Sequence, residues 1–217
     1  MHTPQQTTLI GLCGPAGSGK DAVRSILENR HDFVGLAYAD PLRAMVHALL
    51  TATGSSTDYL LKRELKETPV PGLGVSTRHM MQAFGTDCAR HQFGEDFWVN
   101  AAAATVASLR LQGYRQIVVS DVRFANEAAW IRSQGGEVWL IERPGLAPVR
   151  RHASECINFR VDQVLRNDST LDALAGRVLG ALVSQRIFAR PPLPVGAPAG
   201  VPVVAHVAAD DTEGGAV

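Results

Sequence analysis

The chain has 217 residues and carries 21 basic and 21 acidic side chains, so its formal charge is zero. This length predicts one α/β-sized domain with a sizeable core, with room for a subdomain insertion. The charge balance argues against non-specific binding to nucleic acid or to a membrane surface, because either would need a net basic face.

The first predicted element is an apolar strand, Thr8–Cys13, which breaks into a glycine-rich loop ending in Lys20 and then a helical pattern from Asp21 to Arg30. Glycines let successive backbone N–H groups converge on anionic oxygens, and a helix N-terminus adds partial positive charge. The segment therefore predicts a phosphate-binding loop in which Lys20 reaches the outer phosphates of a nucleotide. The loop residues expected to hold the nucleotide are Gly14, Ala16, Gly17, Ser18 and Gly19.

Asp21 stands where such loops usually carry a Ser or Thr that ligates Mg²⁺. One interpretation makes it a ligand of the metal, either directly or through water. A second makes it a group that faces the phosphoryl acceptor. In the third, Asp21 is only a first-turn acid that favours the helix dipole.

The remaining predicted strands are Phe33–Ala39, Gln116–Ser120, Glu137–Ile141 and Val161–Leu165. Helical patterns separate most of them, which indicates a parallel sheet with helices on both faces, a three-layer α/β sandwich over residues 7–187. Residues 41–112 are almost wholly helical in pattern and are expected to form an acceptor-binding insert. Its predicted helices are Pro41–Thr53, Asp58–Glu67, Ser76–Phe93 and Glu95–Gln112.

The last helix is expected to run from Ser169 to about Arg186, and its Ser-Thr-Leu-Asp start is typical of a capping box. Residues 190–217 are rich in Pro, Gly and Ala and predict a disordered tail.

Charged side chains follow the predicted strands at their carboxyl ends, where ligands gather in an open parallel sheet. Asp121 ends the third strand and is expected to hold Mg²⁺ or its water shell. Arg123 either neutralises charge on the transferring phosphoryl group or pairs with Glu127, four residues on. After the second strand, Asp40 and Arg43 are candidate substrate-binding residues, although Asp40 before a proline is also typical of a helix N-cap.

A basic loop, residues 143–156, begins with Arg143 and contains two further arginines, Arg150 and Arg151. Such a loop is expected either to close over the phosphates as a lid, with Arg143 at the transfer site, or to be a solvated run of charge.

The predicted insert carries a row of polar residues spaced four apart: Arg78, Gln82, Thr86 and Arg90. A helix places them along one slowly drifting face, although Gly85 is a candidate break. Such a face suits an acceptor phosphate and base, whereas the alternative is an exposed helix surface. Trp98 is expected either in the core or as a ring that flanks the acceptor base.

These blocks, taken in order, resemble the phage-type deoxynucleoside monophosphate kinases over most of residues 8–185. The matching blocks are the Gly-Pro-Ala-Gly-Ser-Gly-Lys-Asp loop, residues 38–43, residues 78–90 with Trp98, residues 121–127 and residues 152–155. The family has a P-loop kinase fold, needs Mg²⁺ and transfers the γ-phosphoryl group of ATP to a deoxynucleoside 5′-monophosphate. In place of the Thr often found after Gly-Lys-Asp stands Ala22, which leaves the coordination of the phosphates open.

The resemblance implies acceptor contacts from Arg78, Gln82, Thr86 and Arg90. It also implies transfer-site roles for Lys20, Asp21, Asp121 and Arg123, and an adenine-side position for Asn167.

The sequence therefore predicts a Mg²⁺-dependent nucleoside monophosphate kinase that uses ATP. Two alternatives stay open: a kinase of another small phosphorylated acceptor, similar to phosphomevalonate kinase, and a P-loop ATP-binding switch module without an acceptor. The expected partners are small molecules rather than nucleic acid or membrane, and a homodimer is left open. Three scattered cysteines, Cys13, Cys88 and Cys156, and the lack of an N-terminal signal are typical of a cytoplasmic protein, in the host cytoplasm if a phage encodes it.

Overall fold

The computed structural model describes residues 7–146 and 158–188. Its centre is a sheet of five parallel strands in the order β2-β3-β1-β4-β5. The strands are Thr8–Cys13 (β1), Val34–Leu36 (β2), Gln116–Val119 (β3), Glu137–Glu142 (β4) and Gln163–Arg166 (β5). Because all five run in the same direction, their carboxyl ends meet at one edge of the sheet, where the charged residues follow them.

β1 is the central strand. Its Ile10 lies opposite Val118 of β3 on one side and Glu137 of β4 on the other. Every residue of β1 after Thr8 is buried. A strand covered on both faces has no solvent side to be polar, which explains the continuous apolar run in the sequence.

Helices cover both faces of the sheet. On one face, α1 (Lys20–His31) and α8 (Leu171–Phe188) pack Val23, Leu27 and Leu174 against the strands. On the other, α6 (Phe97–Leu111) and α7 (Ala125–Ser133) contribute to a second apolar cluster. The three-layer α/β sandwich predicted from the sequence is confirmed.

The segment between β2 and β3 begins with α2 (Asp40–Ala52), α3 (Asp58–Leu61), a 3₁₀ turn (Arg63–Leu65) and α4 (Thr77–Gln82). Part of it has an apolar cluster of its own, formed by Val46, Leu50, Leu60, Val70 and Met80. Leu42 of α2 and several residues of α6 belong instead to the cluster beside the sheet. Only the middle of the predicted 41–112 insert therefore has a separate core, and α6 is a layer of the main sandwich.

The helix predicted over Ser76–Phe93 is irregular. α4 gives way to π-helical turns, Ala83–Arg90, which end in a single α-helical turn, α5 (His91–Phe93). Gly85 is buried within the π-helical turns, and a Cβ there would lie 2.9 Å from Cδ2 of Leu42. Its carbonyl oxygen accepts the indole N–H of Trp98 at 2.8 Å. The break expected at Gly85 is thus a widening of the helix, a feature frequent at functional sites.

Two predicted boundaries near β2 differ from the structure. β2 ends at Leu36 rather than Ala39, because the N–H groups of Tyr38 and Ala39 donate to the carboxylate of Asp121 and not to a neighbouring strand. α2 begins at Asp40 with Ala39 as its N-cap, so the N-cap alternative for Asp40 was wrong. The Asp40 carboxylate instead accepts the N–H of Ala37 at 2.6 Å.

Two further boundaries also differ. β5 begins at Gln163 rather than Val161, since the carboxylate of Asp162, not a strand carbonyl, accepts the N–H of Val138 at 2.9 Å. The helix predicted over Asp58–Glu67 is broken at Lys62, whose backbone is extended.

Some predicted features lie outside the described residues. These are the tail at 190–217, Cys156 and the predicted lid loop beyond residue 146. Within residues 7–146 and 158–188, no helix is both long enough and apolar enough to cross a membrane.

Candidate active site

The glycine loop lies between β1 and α1, at the carboxyl edge of the sheet. Gly14 has φ 141° and Gly19 has φ 102°, backbone conformations that side-chain-bearing residues rarely adopt. A Cβ at Gly14 would lie 2.5 Å from the backbone oxygen of Ile141, and a Cβ at Gly19 would collide with the side-chain amide of Asn167. Both positions therefore require glycine for conformation and for space.

Lys20 is the first residue of α1 and its amine lies against the loop. Nζ donates to the carbonyl oxygens of Gly14 and Pro15 at 2.7 and 2.8 Å. Burial lowers the pKa of Lys20 and the positive charge of Arg123 lowers it further, while the carboxylate of Asp21 partly offsets both. Two cations near one another at the mouth of a glycine loop favour a polyanion, which would stabilise both.

Ser18 and Asn167 complete the loop. Ser18 is fully buried, and its Oγ has no hydrogen-bond partner among the described residues. The carbonyl oxygen of Ser18 accepts a hydrogen bond from Nδ2 of Asn167 at 2.9 Å, and the N–H of Asn167 donates to the backbone carbonyl oxygen of Glu142 at 2.6 Å. Asn167 therefore braces the loop from the end of β5, while the buried hydroxyl of Ser18 is suited to a ligand oxygen.

Asp121 follows β3 and is almost completely buried. Its two carboxylate oxygens accept the N–H groups of Tyr38 and Ala39 at 2.7 and 3.1 Å. Burial raises the pKa of Asp121, while the N–H of Tyr38 and the charge of Arg123 oppose that rise. Asp121 thereby ties the turn after β2 to the end of β3, and each oxygen retains a lone pair for a further contact.

The carboxylates near the loop bear on metal binding. Asp21 is exposed in the first turn of α1. In the described part of the chain, no three His, Cys, Asp or Glu residues are grouped so that they could hold a metal ion. Mg²⁺ that binds together with phosphates needs only one or two protein carboxylates. The charges of Asp21 and Asp121 both act on Lys20 and oppose the lowering of its pKa by burial, so these two carboxylates are the candidates for such a metal.

Glu127 lies in the first turn of α7 and is 3% exposed. Its Oε2 accepts the backbone N–H groups of Arg123 and Phe124 at 2.7 and 3.0 Å. Burial raises the pKa of Glu127 to about 7, although those two hydrogen bonds oppose the rise. The contact between Glu127 and Arg123 is thus through the backbone of Arg123, and the side chain of Arg123 is exposed.

Arg90, the last residue of the π-helical turns, is the arginine that reaches α7. Its guanidinium carbon lies 3.9 Å from the centre of the Phe124 ring. Nη1 lies 3.8 Å from Oε1 of Glu127, and Nη2 lies 3.5 Å from Oδ1 of Asn126. The side chain is 10% exposed, and Nη1 has no hydrogen-bond partner among the described residues. A buried cation with unused donors is suited to an anionic ligand.

The predicted row is only partly aligned. Gln82 and Thr86 line one shallow depression on the helical segment, together with His79, Ala83 and Asp87. Arg78 is half-exposed, and its Nε lies 3.1 Å from Oε1 of Glu67. The wide π-helical turns change the angle between residues four apart, so the four side chains do not share one continuous face.

The other candidate residues are placed as follows. Arg43 is half-exposed and pairs with Asp40 at 2.7 Å. Trp98 is buried in the core, where its N–H binds the carbonyl oxygen of Gly85, so it supports the π-helical turns. Arg143 is exposed and directly follows β4.

Phe124, Asn126 and Glu127 surround Arg90 but are not among the site residues predicted from the sequence. A signal was present, because a Glu three residues after a helix N-cap is half of a capping box. Phe124 occupies the N-cap position where Ser or Thr would complete that pattern, so the capping box was not recognisable from the sequence.

Comparison with known proteins shows which family this chain resembles. The family model described as deoxynucleotide monophosphate kinase matches residues 74–178. The putative deoxynucleotide monophosphate kinase of Acanthamoeba polyphaga mimivirus is 32% identical over 192 residues, which cover 80% of this chain and 95% of the mimivirus protein. The deoxynucleotide monophosphate kinase of Enterobacteria phage T4 is 31% identical over 109 residues, which cover 49% of this chain and 45% of the phage protein.

Among solved structures, a dephospho-CoA kinase from Campylobacter jejuni has a TM-score of 0.45 and covers 84% of this chain and 98% of its own. A sugar kinase from Janibacter sp. HTCC2649 has a TM-score of 0.44 and covers 82% and 95%. Both are 11% identical to this chain, a likeness too distant to bear on function. The match to the family model and the near full-length similarity to the mimivirus protein are decisive: the chain belongs to the deoxynucleotide monophosphate kinase family.

Proposed function

We propose that the protein transfers the γ-phosphoryl group of ATP to a deoxynucleoside 5′-monophosphate, giving ADP and a deoxynucleoside diphosphate for DNA synthesis. The observation that carries this proposal is the glycine loop with Lys20 and the nearby Arg123, at the carboxyl edge of the sheet. Membership in the family supplies the acceptor class.

The donor side of the proposed site is the loop itself. Its backbone N–H groups and the N-terminus of α1 hold the phosphates of ATP. The buried hydroxyl of Ser18, which has no partner in residues 7–146 and 158–188, is available to a phosphate oxygen. Lys20 exchanges its contacts with Gly14 and Pro15 for the outer phosphates. Asn167 supports ATP binding indirectly, by holding the loop through its hydrogen bond to Ser18.

Asp21 and Asp121 are the residues that would hold Mg²⁺, either directly or through water. When bound, Mg²⁺ neutralises charge on the outer phosphates. Asp121 also keeps the turn after β2 in place through Tyr38 and Ala39.

The acceptor side combines Arg90 with the depression that contains Gln82 and Thr86. In this proposal Arg90 binds the 5′-phosphate and the depression receives the remainder of the nucleotide. Arg78 is a second phosphate contact once it leaves Glu67. Arg43 and Asp40, which pair with each other, are proposed as further substrate-binding residues.

The reaction is an in-line phosphoryl transfer. An oxygen of the acceptor phosphate forms a bond to the γ-phosphorus of ATP, and the bond between that phosphorus and the β–γ bridging oxygen breaks. Protein groups do little covalent work in such a reaction, so positioning and charge stabilisation supply the catalysis. Lys20, Arg123 and Arg143 are the cations proposed to stabilise the transferring group.

A coupled assay of ADP release tests the proposal. The wild-type enzyme is given ATP and Mg²⁺ with each deoxynucleoside monophosphate, each ribonucleoside monophosphate, phosphomevalonate, or no acceptor. We expect turnover that depends on a deoxynucleoside monophosphate. Turnover only with phosphomevalonate would indicate the other kinase class, and acceptor-independent hydrolysis would indicate a switch module.

Lys20→Ala should lower turnover in this assay by roughly two to three powers of ten, as loss of one preorganised electrostatic contact does. Lys62→Ala is the matched control, because Lys62 is exposed and pairs only with Asp58 among the described residues. Near-parental activity of Lys20→Ala would show that the loop is not the phosphate cradle.

Size-exclusion chromatography of the wild-type protein tests whether it forms a homodimer, through its apparent molecular mass.

A further inference from the structure

The first turn of α7 forms a seat for the guanidinium of Arg90, made of Phe124, Asn126 and Glu127. The Phe124 ring lies below the guanidinium, and the two polar side chains lie beside Nη1 and Nη2. A free arginine side chain has many rotamers, so binding of an anion by an ordered guanidinium loses less conformational entropy. The seat therefore lowers the entropic cost that Arg90 would pay on binding an anion without it.

Glu127 divides its two oxygens between the two sides of the site. Oε2 accepts the backbone N–H groups of Arg123 and Phe124, while Oε1 faces Nη1 of Arg90 at 3.8 Å. One buried carboxylate thus contacts the backbone of Arg123, the proposed transfer-site arginine, and the guanidinium of Arg90, the proposed acceptor-site arginine.

Asn126 extends this arrangement to the turn before α6. Its Nδ2 donates to the carbonyl oxygen of Glu95 at 3.0 Å and to Oδ1 of Asp96 at 2.8 Å. The seat is therefore tied to the segment that leads from the π-helical turns into α6. The backbone of Arg90 lies in those turns and its guanidinium lies in the seat, so both parts of the residue are positioned.

We propose that Phe124 and Glu127 are positioning residues that hold Arg90 ready for the acceptor phosphate. Glu127 also fixes the backbone at Arg123 in register with Arg90. This inference rests on the proposed function, because it assigns how the acceptor is bound in that reaction. In this proposal Phe124 and Glu127 have no part in the binding of ATP.

A double-mutant cycle tests the proposal. Glu127→Gln keeps an oxygen that accepts the backbone N–H groups but loses the charge that faces Arg90, so the kinetics are measured at pH 8, above the pKa of about 7 of Glu127. We expect the KM for the deoxynucleoside monophosphate to rise about tenfold, with the KM for ATP changed by less than about twofold. If Glu127 acts through Arg90, the double variant Glu127→Gln/Arg90→Ala has an acceptor KM within about twofold of Arg90→Ala alone, because alanine removes the cation that faces Glu127.

A purely structural role for Glu127 gives a different result, because its effect would then multiply with that of Arg90→Ala. Multiplicative effects, an unchanged acceptor KM in Glu127→Gln, or an equal rise in both KM values would each overturn the inference. Absence of acceptor-dependent turnover in the wild-type enzyme would overturn the proposed function as well, so the two failures are distinguishable.

Two further variants secure the test. Asp162→Asn is the matched control, because Asp162 also accepts a backbone N–H and pairs with an arginine, Arg132, but lies outside the site. It should lower the melting temperature without changing either KM. If Glu127→Gln does not fold, the same cycle is made with Phe124→Leu, for which we expect an acceptor KM raised about fivefold and the same non-additivity with Arg90→Ala.

Discussion

The side-chain amide of Asn167 donates a hydrogen bond to the carbonyl oxygen of Ser18 at 2.9 Å, although 149 positions separate the two residues. Asn167 directly follows β5, and Ser18 lies in the glycine loop after β1. The bond joins the edge strand of the sheet to the loop proposed to hold ATP.

Asn167→Ala should therefore raise the KM for ATP by about tenfold, because the loop loses a fixed contact worth about 1 kcal/mol and gains freedom. The KM for the acceptor should change much less. Asp168→Asn is the control, since it changes the neighbouring residue and removes an exposed pair with Arg177. Steady-state kinetics with each substrate varied in turn provide the measurement, and an unchanged KM for ATP would contradict the bracing role.

Arg90→Lys should impair acceptor binding more than Arg78→Lys. Lysine keeps the charge but lacks the planar fork that stacks on Phe124 and binds two oxygens at once. Arg90 is largely buried in a fixed position, whereas Arg78 is half-exposed and paired with Glu67, so ordering Arg78 costs more entropy. We expect the acceptor KM to rise about tenfold or more in Arg90→Lys and about threefold in Arg78→Lys. The reverse order would contradict the assignment of Arg90 to the acceptor phosphate.

Glu127 should make the folding stability depend on pH. Burial raises its pKa from 4.5 to about 7 in the folded protein, with a further rise from Asp121 and a reduction from Arg90. Because the folded state binds the proton more tightly, this contribution is fully present below about pH 4.5 and is lost as the pH rises to about 7. The loss is at most about 3 kcal/mol.

Urea denaturation of the wild-type protein and of Glu127→Gln between pH 4.5 and 8 measures this contribution. The difference in unfolding free energy should change in favour of Glu127→Gln as the pH rises. A difference that is flat across this range would show that Glu127 has an ordinary pKa.

Trp98→Phe should destabilise the protein by about 1–3 kcal/mol, since the carbonyl oxygen of Gly85 loses its indole donor. The loss should also raise the acceptor KM, because Gly85 belongs to the π-helical turns that carry Thr86 and Arg90. Trp139→Phe makes the same chemical change in the apolar cluster on the opposite face of the sheet, where the indole N–H donates to the carboxylate of Glu137. It should lower stability alone, and a shift of the acceptor KM in both variants would contradict a local role for Trp98.

The sequence was sufficient to locate the five strands, the layers and the loop, although not the ends of β2 and β5, because these features depend on local patterns. A continuous apolar run predicts a strand that is buried on both faces, as in Thr8–Cys13. Glycines at Gly14 and Gly19 indicate positive φ before a helix, and Lys20 follows them. The family resemblance came from the same short blocks and their order.

The contacts that organise the site depend on tertiary structure, because the partners lie far apart in the chain. Arg90 meets Asn126 across 36 positions, and Asp121 meets Tyr38 across 83. The π-helical turns at Ala83–Arg90 also escaped prediction, since a spacing of four residues fits an α-helix equally well. Periodicity reports which face of an element is buried, but only the packing of α6, α7 and the sheet edge decides which buried polar groups meet.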